Sequence, residues 1–327
     1  MEKALNWAVL GVGVIANEAA QALQRTGRKF YAVGNRTHEK ALAFAEKYHI
    51  GKIYDNIDEM FLDENVDIIY ITSPHNTHFK FMRQALEHGK NVFVEKSITL
   101  NSRELSEMID LAREKNLILA EAMTIWHMPL YKKLLEILNS GELGKVQIIT
   151  LNFGSFKDYD MKNRFFNMSL AGGALLDIGV YALSIVRSFM DEKPTEILSQ
   201  WKPSPTGSDE QVAILLKNSC GQMATAALSM HSKQPKRAII SCEKAYIEIL
   251  NYPRADTAVI VDAQTGKSTE ISCGKSADAL LYEIDDMENA VNNRDVSNMK
   301  LEFTKDVMDI MTLLRKNWKL QYPNEIW

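Results

Sequence analysis

The chain predicts an α/β protein: a doubly wound parallel sheet in its first third, followed by an α+β domain with a mostly antiparallel sheet. Three observations predict it. A glycine-rich loop, Gly11-Val12-Gly13-Val14-Ile15-Ala16, follows a short apolar run and opens a helical pattern. Apolar strand patterns then alternate with helical ones up to about residue 122. Beyond that point strand patterns succeed one another without intervening helices.

The first third reads in order as follows. Trp7-Ala8-Val9-Leu10 is a strand ended by Gly11, and Val14 to Leu23 is a helix. Phe30 to Val33 is a second strand and His38 to Tyr48 a second helix. Asp67 to Thr72 is a strand rich in isoleucine, bounded by Ser73-Pro74. Thr77 to His88 is helical with Gly89 as its stop. Asn91 to Val94 is a strand, Ser102 to Lys115 a helix capped by Asn101 or Ser102, and Leu117 to Ala120 the last strand. Nearly continuous apolar strands imply a parallel sheet covered on both faces, with ligands bound beyond the carboxyl ends of its strands.

In the remainder, Val146–Phe153, Gln211–Leu216, Gln222–Met230, Ala238–Ser241, Ala245–Leu250 and Ala258–Val261 read as strands. Leu175–Met190, Ala277–Asn292 and Lys305–Lys316 read as helices, and Trp201 to Ser208 as a mobile connection. On the strand Val146 to Leu151 both faces carry apolar residues, so a face left bare by helices needs a partner subunit.

The bulk numbers narrow the class. With 327 residues, 46% of them hydrophobic, the chain can build two cores. A net charge of −4 predicts neither a nucleic-acid partner nor an anionic membrane. Cys220, Cys242 and Cys273 are odd in number and lack CxxC spacing, which argues against a disulfide framework or a thiolate zinc site. The start, Met1-Glu2-Lys3, leads into an apolar segment too short for a secretory signal, so a cytoplasmic location is expected. No apolar run is expected to approach the roughly 20 residues of a membrane span.

Five places carry chemistry. In the glycine loop, Gly11 permits the tight turn, Gly13 admits a pyrophosphate, Ala16 lets the helix pack, and the helix N-terminus holds the phosphate charge. At the end of the second strand, Gly34-Asn35-Arg36-Thr37 lacks the carboxylate that binds a ribose 2′-hydroxyl. Arg36 instead offers a cationic fork to a 2′-phosphate, so NADP(H) is favoured over NAD(H). Thr72-Ser73-Pro74-His75-Asn76-Thr77-His78 follows the third of these strands; its two histidines lack a third ligand, so no metal is expected. Glu95-Lys96 follows the fourth, where an ammonium could stabilise an oxygen that gains negative charge during hydride transfer. Lastly, Gly172-Gly173 opens a helix on which Asp177 and Tyr181 share a face at i and i+4.

Taken together, these motifs resemble the Gfo/Idh/MocA family of oxidoreductases, with Glu121-Ala122 as a further point of likeness. The resemblance spans essentially the whole chain. It implies a Rossmann domain over 1–122 and an α+β domain over 123–327 with an open sheet that forms a homodimer or homotetramer. A C-terminal helix is a candidate to pack back on the first domain. Arg164-Phe165-Phe166 and the Gly172 to Tyr181 stretch are most similar to the dimeric dihydrodiol dehydrogenase and NADP-dependent sugar dehydrogenase branch. Three departures stand out: Ser97 where the family usually has proline, Tyr181 where many members have histidine, and a displaced Trp126.

The resemblance implies Lys96, Asp177 and Tyr181 as catalytic residues. Either Tyr181 donates the proton while Lys96 polarises the oxygen, or the roles are exchanged. Gly11, Val12, Gly13, Val14, Ile15, Asn35, Arg36, Thr37, Thr72, Ser73, Pro74, His75, His78, Glu95 and Lys96 are the cofactor-binding candidates. Trp126, Phe156 and Arg164 are substrate-pocket candidates, and Trp318 and Trp327 read as packing or interface residues. The expected reaction is hydride transfer to or from a sugar, polyol or dihydrodiol-like small molecule. Two other classes compete: a non-catalytic dinucleotide sensor, and a glycosidase that retains NAD through purification and shows no net redox change.

Overall fold

A computed structural model of the chain describes residues 4–323 and 325–327. In the first unit β1 (Trp7–Leu10), α1 (Val14–Arg25), β2 (Ala32–Gly34), α2 (His38–Tyr48), β3 (Lys52–Tyr54) and α3 (Ile57–Leu62) come first. They are followed by β4 (Ile68–Ile71), α4 (His78–Glu87), β5 (Asn91–Glu95), α5 (Ser102–Glu114) and β6 (Leu119–Ala122). The six strands form one parallel sheet in the order β3-β2-β1-β4-β5-β6. This is the doubly wound topology, with its switch point beside β1. The short β3 and α3 escaped the sequence reading because three and six residues carry too little periodicity to register.

The second unit begins with the single turn α6 (Thr124–His127), α7 (Pro129–Asn139), β7 (Val146–Gly154) and α8 (Val180–Phe189). Then come β8 (Glu196–Pro203), β9 (Asp209–Lys217), β10 (Met223–Ser229), β11 (Gln234–Cys242), β12 (Ala245–Leu250), β13 (Thr257–Asp262) and β14 (Ser268–Ser272). Two helices close the chain, α9 (Ala279–Asn293) and α10 (Leu301–Trp318). The sheet order is β14-β13-β12-β11-β7-β10-β9-β8, antiparallel throughout except for the parallel pair β7 and β10. One face is buried: Ile149, Leu151 and Phe153 of β7 alternate with exposed or half-buried neighbours, and α8 packs on this strand.

Compact units divide at Met123/Thr124, but the first unit also takes back Leu280–Leu301. Helix α9 supplies Leu280, Leu281, Ile284, Met287 and Ala290 to the first unit's core. Its acids also clamp Arg28, with Asp285 and Glu288 each at 2.6 Å, while Glu288 accepts from the Trp7 indole at 2.9 Å. The last helix, α10, stays with the second unit.

Three sequence expectations are corrected here, and one strand was missed. Trp201 to Ser208 is no mobile connection: β8 runs to Pro203 and a hairpin closes with the Ser204 N–H donating to the Ser208 carbonyl at 2.7 Å. Turn residues hid a strand, because β8 is an edge strand with little burial to pattern it. The 22-residue stretch Met168–Phe189 does approach membrane-span length, with a mean hydropathy of 1.7 over its most apolar 18-residue window; 83% of that window is buried as the second unit's core. The helix read from Leu175 is not one continuous α-helix, since Leu175–Gly179 is a π-helical turn leading into α8. Finally, β14 lay unseen because its serine- and threonine-rich strand is almost wholly exposed.

Candidate active site

Gly11 stands at the β1–α1 turn with φ +107°. A side chain there would meet Thr72 Oγ1 at 2.8 Å and the Thr72 backbone at 3.0 Å. The Thr72 hydroxyl donates to the carbonyls of Leu10 and Gly11 at 3.2 and 3.1 Å, so the loops after β1 and β4 are stitched together. Gly13 is different in kind. It is the N-cap of α1 with φ −71°, and an added Cβ finds no heavy atom within 4 Å. Gly13 and Val14 are exposed, and Val12 and Ile15 half-buried, so the free N–H groups of the first turn face open space. That open ground and the positive helix end suit a pyrophosphate. Beyond β2, Asn35 donates to the Thr37 carbonyl at 2.9 Å, shaping the loop, while Thr37 takes the N-cap position of α2 without capping it. Arg36 is exposed and has no partner among the described residues.

The Lys96 loop is anchored on both sides. His75 Nε2 lies 2.9 Å from the Lys96 carbonyl. His78 is fully buried, its Nδ1 at 3.0 Å from the Ser97 carbonyl and its Nε2 at 2.8 Å from the Ser73 carbonyl. Burial drives the His78 imidazole below its usual pKa, against the pull of these carbonyls. His78 therefore ties the loop after β4 to the loop after β5. Glu121, also buried, accepts the Ile98 N–H at 3.1 Å, and Tyr70 donates to Glu95. Ser73 and Thr77 hydroxyls pair at 2.7 Å, and Thr77 also donates to the Pro74 carbonyl. The Lys96–Ser97 peptide is cis.

In the second unit, Asp177 is paired: Arg164 Nη1 donates to its Oδ1 at 2.8 Å, and the Arg164 guanidinium also lies 4.4 Å over the Phe165 ring. Arg164 keeps its side chain 49% exposed, so one end of this pair faces solvent. Tyr181 is half-buried, its ring 6.2 Å from that of Phe153.

Sequence reasoning missed what holds this segment. Gly173 has φ +141°, and an added side chain would fall 2.0 Å from Asp209 Oδ1. Asp209 Oδ2 accepts the Leu175 N–H at 2.5 Å, and Tyr322 donates to the Gly172 carbonyl at 3.1 Å. Burial pushes Asp209 up to about 7, while the Leu175 N–H and the Arg315 charge draw it down. Only the paired glycines hinted that something packs so close.

The aromatic candidates divide. Trp126 is buried against Phe303 at 5.8 Å and its Nε1 has no hydrogen-bond partner among the described residues. Phe156 is 53% exposed and stacks on His231 at 5.2 Å, with Tyr159 also stacked on His231. Trp318 stacks on Trp201 at 5.3 Å and donates to Ser199 Oγ at 2.9 Å, and Trp327 lies over Arg315. The best-formed cavity, about 530 Å³ and lined by Leu138, Gly144, Phe189 and Glu243, lies at the Val146 end of β7 and holds none of the candidate residues. Among the described residues no group of three His, Cys, Asp or Glu side chains forms a metal site.

A doubly wound sheet with this glycine loop defines a dinucleotide-binding protein. Residues 5–123 match the "Oxidoreductase family, NAD-binding Rossmann fold", and residues 131–248 match the "GFO/IDH/MocA C-terminal domain". The chain belongs to the Gfo/Idh/MocA family of NAD(P)-binding oxidoreductases. Trans-1,2-dihydrobenzene-1,2-diol dehydrogenase of Xenopus laevis is 32% identical over 271 residues, covering 82% of this chain and 81% of its own. The enzyme of that name from Homo sapiens is 30% identical over 265 residues, covering 80% and 79%. Among solved structures, a 3-ketoreductase from Actinomadura kijaniata in complex with NADP and TDP-benzene shares the fold, with a TM-score of 0.83 at 20% identity over 95% of this chain and 96% of its own. UDP-N-acetylglucosamine 3-dehydrogenase from Acidithiobacillus ferrooxidans does so with a TM-score of 0.82 at 19% identity, over 97% and 99%.

Proposed function

We propose that the protein is an NADP(H)-preferring dehydrogenase or reductase acting on a CH–OH group of a sugar, polyol or dihydrodiol-like substrate. The observation that carries the cofactor preference is Arg36, exposed at the end of β2 with no carboxylate beside it on the strand end. Relatives named dihydrodiol dehydrogenase support the substrate class, as do structural neighbours named as sugar-nucleotide enzymes. The nicotinamide, when bound, supplies or takes up the hydride. Lys96 stabilises the oxygen that gains charge, and Tyr181 transfers its proton, or the two exchange these roles. Asp177 holds Arg164 at the substrate's hydroxyl groups. Turnover measured by nicotinamide absorbance with NADP⁺ and a panel of trans-dihydrodiols, aldoses and cyclic polyols tests the reading. A protein that binds NADPH but turns over nothing in any panel favours the sensor instead.

Two substitutions separate cofactor contacts from folding. Gly13→Ala adds a methyl where nothing lies within 4 Å, at a φ that alanine accepts. NADPH affinity should fall by about tenfold or more, or ~1.4 kcal/mol, with unchanged thermal stability. Arg36→Ala should lower the NADPH/NADH affinity ratio by about tenfold. An unchanged ratio in a fluorescence titration removes the basis for the NADP(H) preference.

The oligomer follows from the sheet. Ile148, Leu198, Leu215, Tyr246 and Leu250 are exposed, and strand register places them on one face. We propose that a second copy covers this face, as a homodimer or homotetramer. Sedimentation at micromolar concentration should show at least a dimer, and Leu198→Asp should shift it toward monomer. A wild-type monomer refutes the proposal.

A further inference from the structure

Three segments of the second unit meet at the far end of β7. The strand ends at Phe153-Gly154 and continues to Lys157. β11 begins beside it, with Gln234 in register with Gly154. The turn Tyr252–Arg254 is joined to β11 by the Asn251 N–H, which donates to the Lys236 carbonyl at 2.7 Å. Lys157 is bound to the strand that precedes β11: its N–H donates to the Met230 carbonyl at 2.9 Å, and His231 Nδ1 lies 2.8 Å from its carbonyl.

These segments bring cations to the candidate catalytic residues. Lys236 Nζ lies 5.0 Å from the Phe153 ring centroid, and that same ring is 6.2 Å from Tyr181. Lys157 Nζ lies 4.5 Å from the centroid of Phe165, the ring that also carries the guanidinium of Arg164, the partner of Asp177. Burial, and then the charges of Lys233, Arg254 and Lys157, hold Lys236 below its ordinary pKa. Two acids of this unit, Asp177 and Glu210, are committed elsewhere. Asp177 is paired with Arg164, and Glu210 with Lys202 and Tyr159. Among the described residues no carboxylate lies within ion-pair distance of Lys157, Lys233 or Lys236.

Like charges gathered on half-apolar ground destabilise the fold unless an anion joins them. Aromatic faces offset part of that cost, yet leave the net charge in place. A carboxylate carries one negative charge, whereas a phosphoryl group carries about −1.5 to −2 at neutral pH and three acceptor oxygens. We propose that Lys157, Lys233 and Lys236 bind a phosphoryl group of the substrate, which is therefore a phosphorylated sugar or polyol and not a free sugar or neutral dihydrodiol. This rests on the assignment of Tyr181 and Asp177 to the reacting end of the substrate. The phosphoryl group can be a monoester or part of a nucleotide diphosphate.

The test uses matched pairs in the nicotinamide absorbance assay: glucose with glucose 6-phosphate, galactose with UDP-galactose, and a trans-dihydrodiol as the neutral aromatic case. An NADPH fluorescence titration comes first, since failure to bind NADPH defeats the oxidoreductase reading itself. One phosphorylated member should exceed its neutral partner in kcat/KM by at least about 100-fold, and which pair responds tells monoester from diphosphate. Lys236→Met should cut that preference ratio at least about tenfold, mainly through KM, and Lys236→Arg should keep it. Neutral members used within threefold of phosphorylated ones, or a ratio unmoved by Lys236→Met, overturns the proposal. If no pair is turned over, calorimetric titration of pyrophosphate and of inorganic phosphate into the NADP⁺-saturated protein decides. Saturable binding that Lys236→Met abolishes supports the site; absence of binding by the wild type overturns it.

Discussion

Lys96→Met is expected to lower kcat by about 10²–10⁴-fold, with NADPH still bound. Methionine keeps the length of the stem and removes only the charged donor. The magnitude depends on how firmly the lysine is placed, and the loop around it is unusually well tied. The Lys96 carbonyl is held by His75, the Ser97 carbonyl by buried His78, and the Ile98 N–H by buried Glu121, while Glu95 accepts from Tyr70. A donor held in advance costs no reorganisation when charge develops on the reacting oxygen. Tyr181→Phe removes a single oxygen and is the companion experiment. A limb of the kcat/KM profile that vanishes in Tyr181→Phe assigns the proton to the phenol, and one that vanishes in Lys96→Met assigns it to the ammonium. Wild-type turnover in both variants, within threefold, removes both from the mechanism.

The parts of this protein that could be read in sequence are those where a local rule decides the outcome. The parallel sheet was legible because its strands are buried on both faces, so Ile68 to Ile71 and Val92 to Val94 form unbroken apolar runs. Gly11 and Gly13 were legible because a turn and an open helix end each have a sequence signature. What escaped is what depends on distant residues. Helix α9 reads as an amphipathic helix wherever it docks, and nothing local tells that Leu280 and Ile284 complete the first unit's core. The packing of Trp126 escaped because its spacing from Glu121-Ala122 is local information, while its ring partner Phe303 lies far along the chain. Asp209 was invisible for the same reason: its contact is to Leu175, in another element, and the only local trace was a glycine at 173. Likewise, Lys157 and Lys236 are unremarkable in sequence and are brought to one end of the sheet only because β7 and β11 pair.

Glu325→Ala should destabilise the second unit by about 3–5 kcal/mol, the cost of leaving a buried cation unpaired. Arg315 and Glu325 are both 0% exposed in their side chains and form two parallel bonds of 2.8 Å. Burial alone would lower the Arg315 pKa; the Glu325 carboxylate and its neighbours hold it above the ordinary value, so the guanidinium stays charged. The guanidinium also lies 4.7 Å from the Tyr322 ring and 4.8 Å from that of Trp327, while Glu325 accepts the Tyr322 N–H at 3.1 Å. Tyr322 in turn donates to the Gly172 carbonyl, and Asp209, within the field of Arg315, holds the first N–H of the π-helical turn that carries Asp177. Loss of Glu325 should therefore reach the site as well as the core: urea unfolding reads the first effect, and kcat below the transition reads the second. Swapping both partners for apolar residues, Arg315→Met with Glu325→Leu, should restore most of the stability, since the unpaired charge and not the lost pair carries the cost. If kcat stays low in that double variant, the ionic pair places the Gly172-Gly173 turn by its geometry; if kcat returns with stability, any well-packed tail suffices. A loss under about 1 kcal/mol in Glu325→Ala would mean that water reaches Arg315 once its partner is gone, and that the tail does not seal this part of the core.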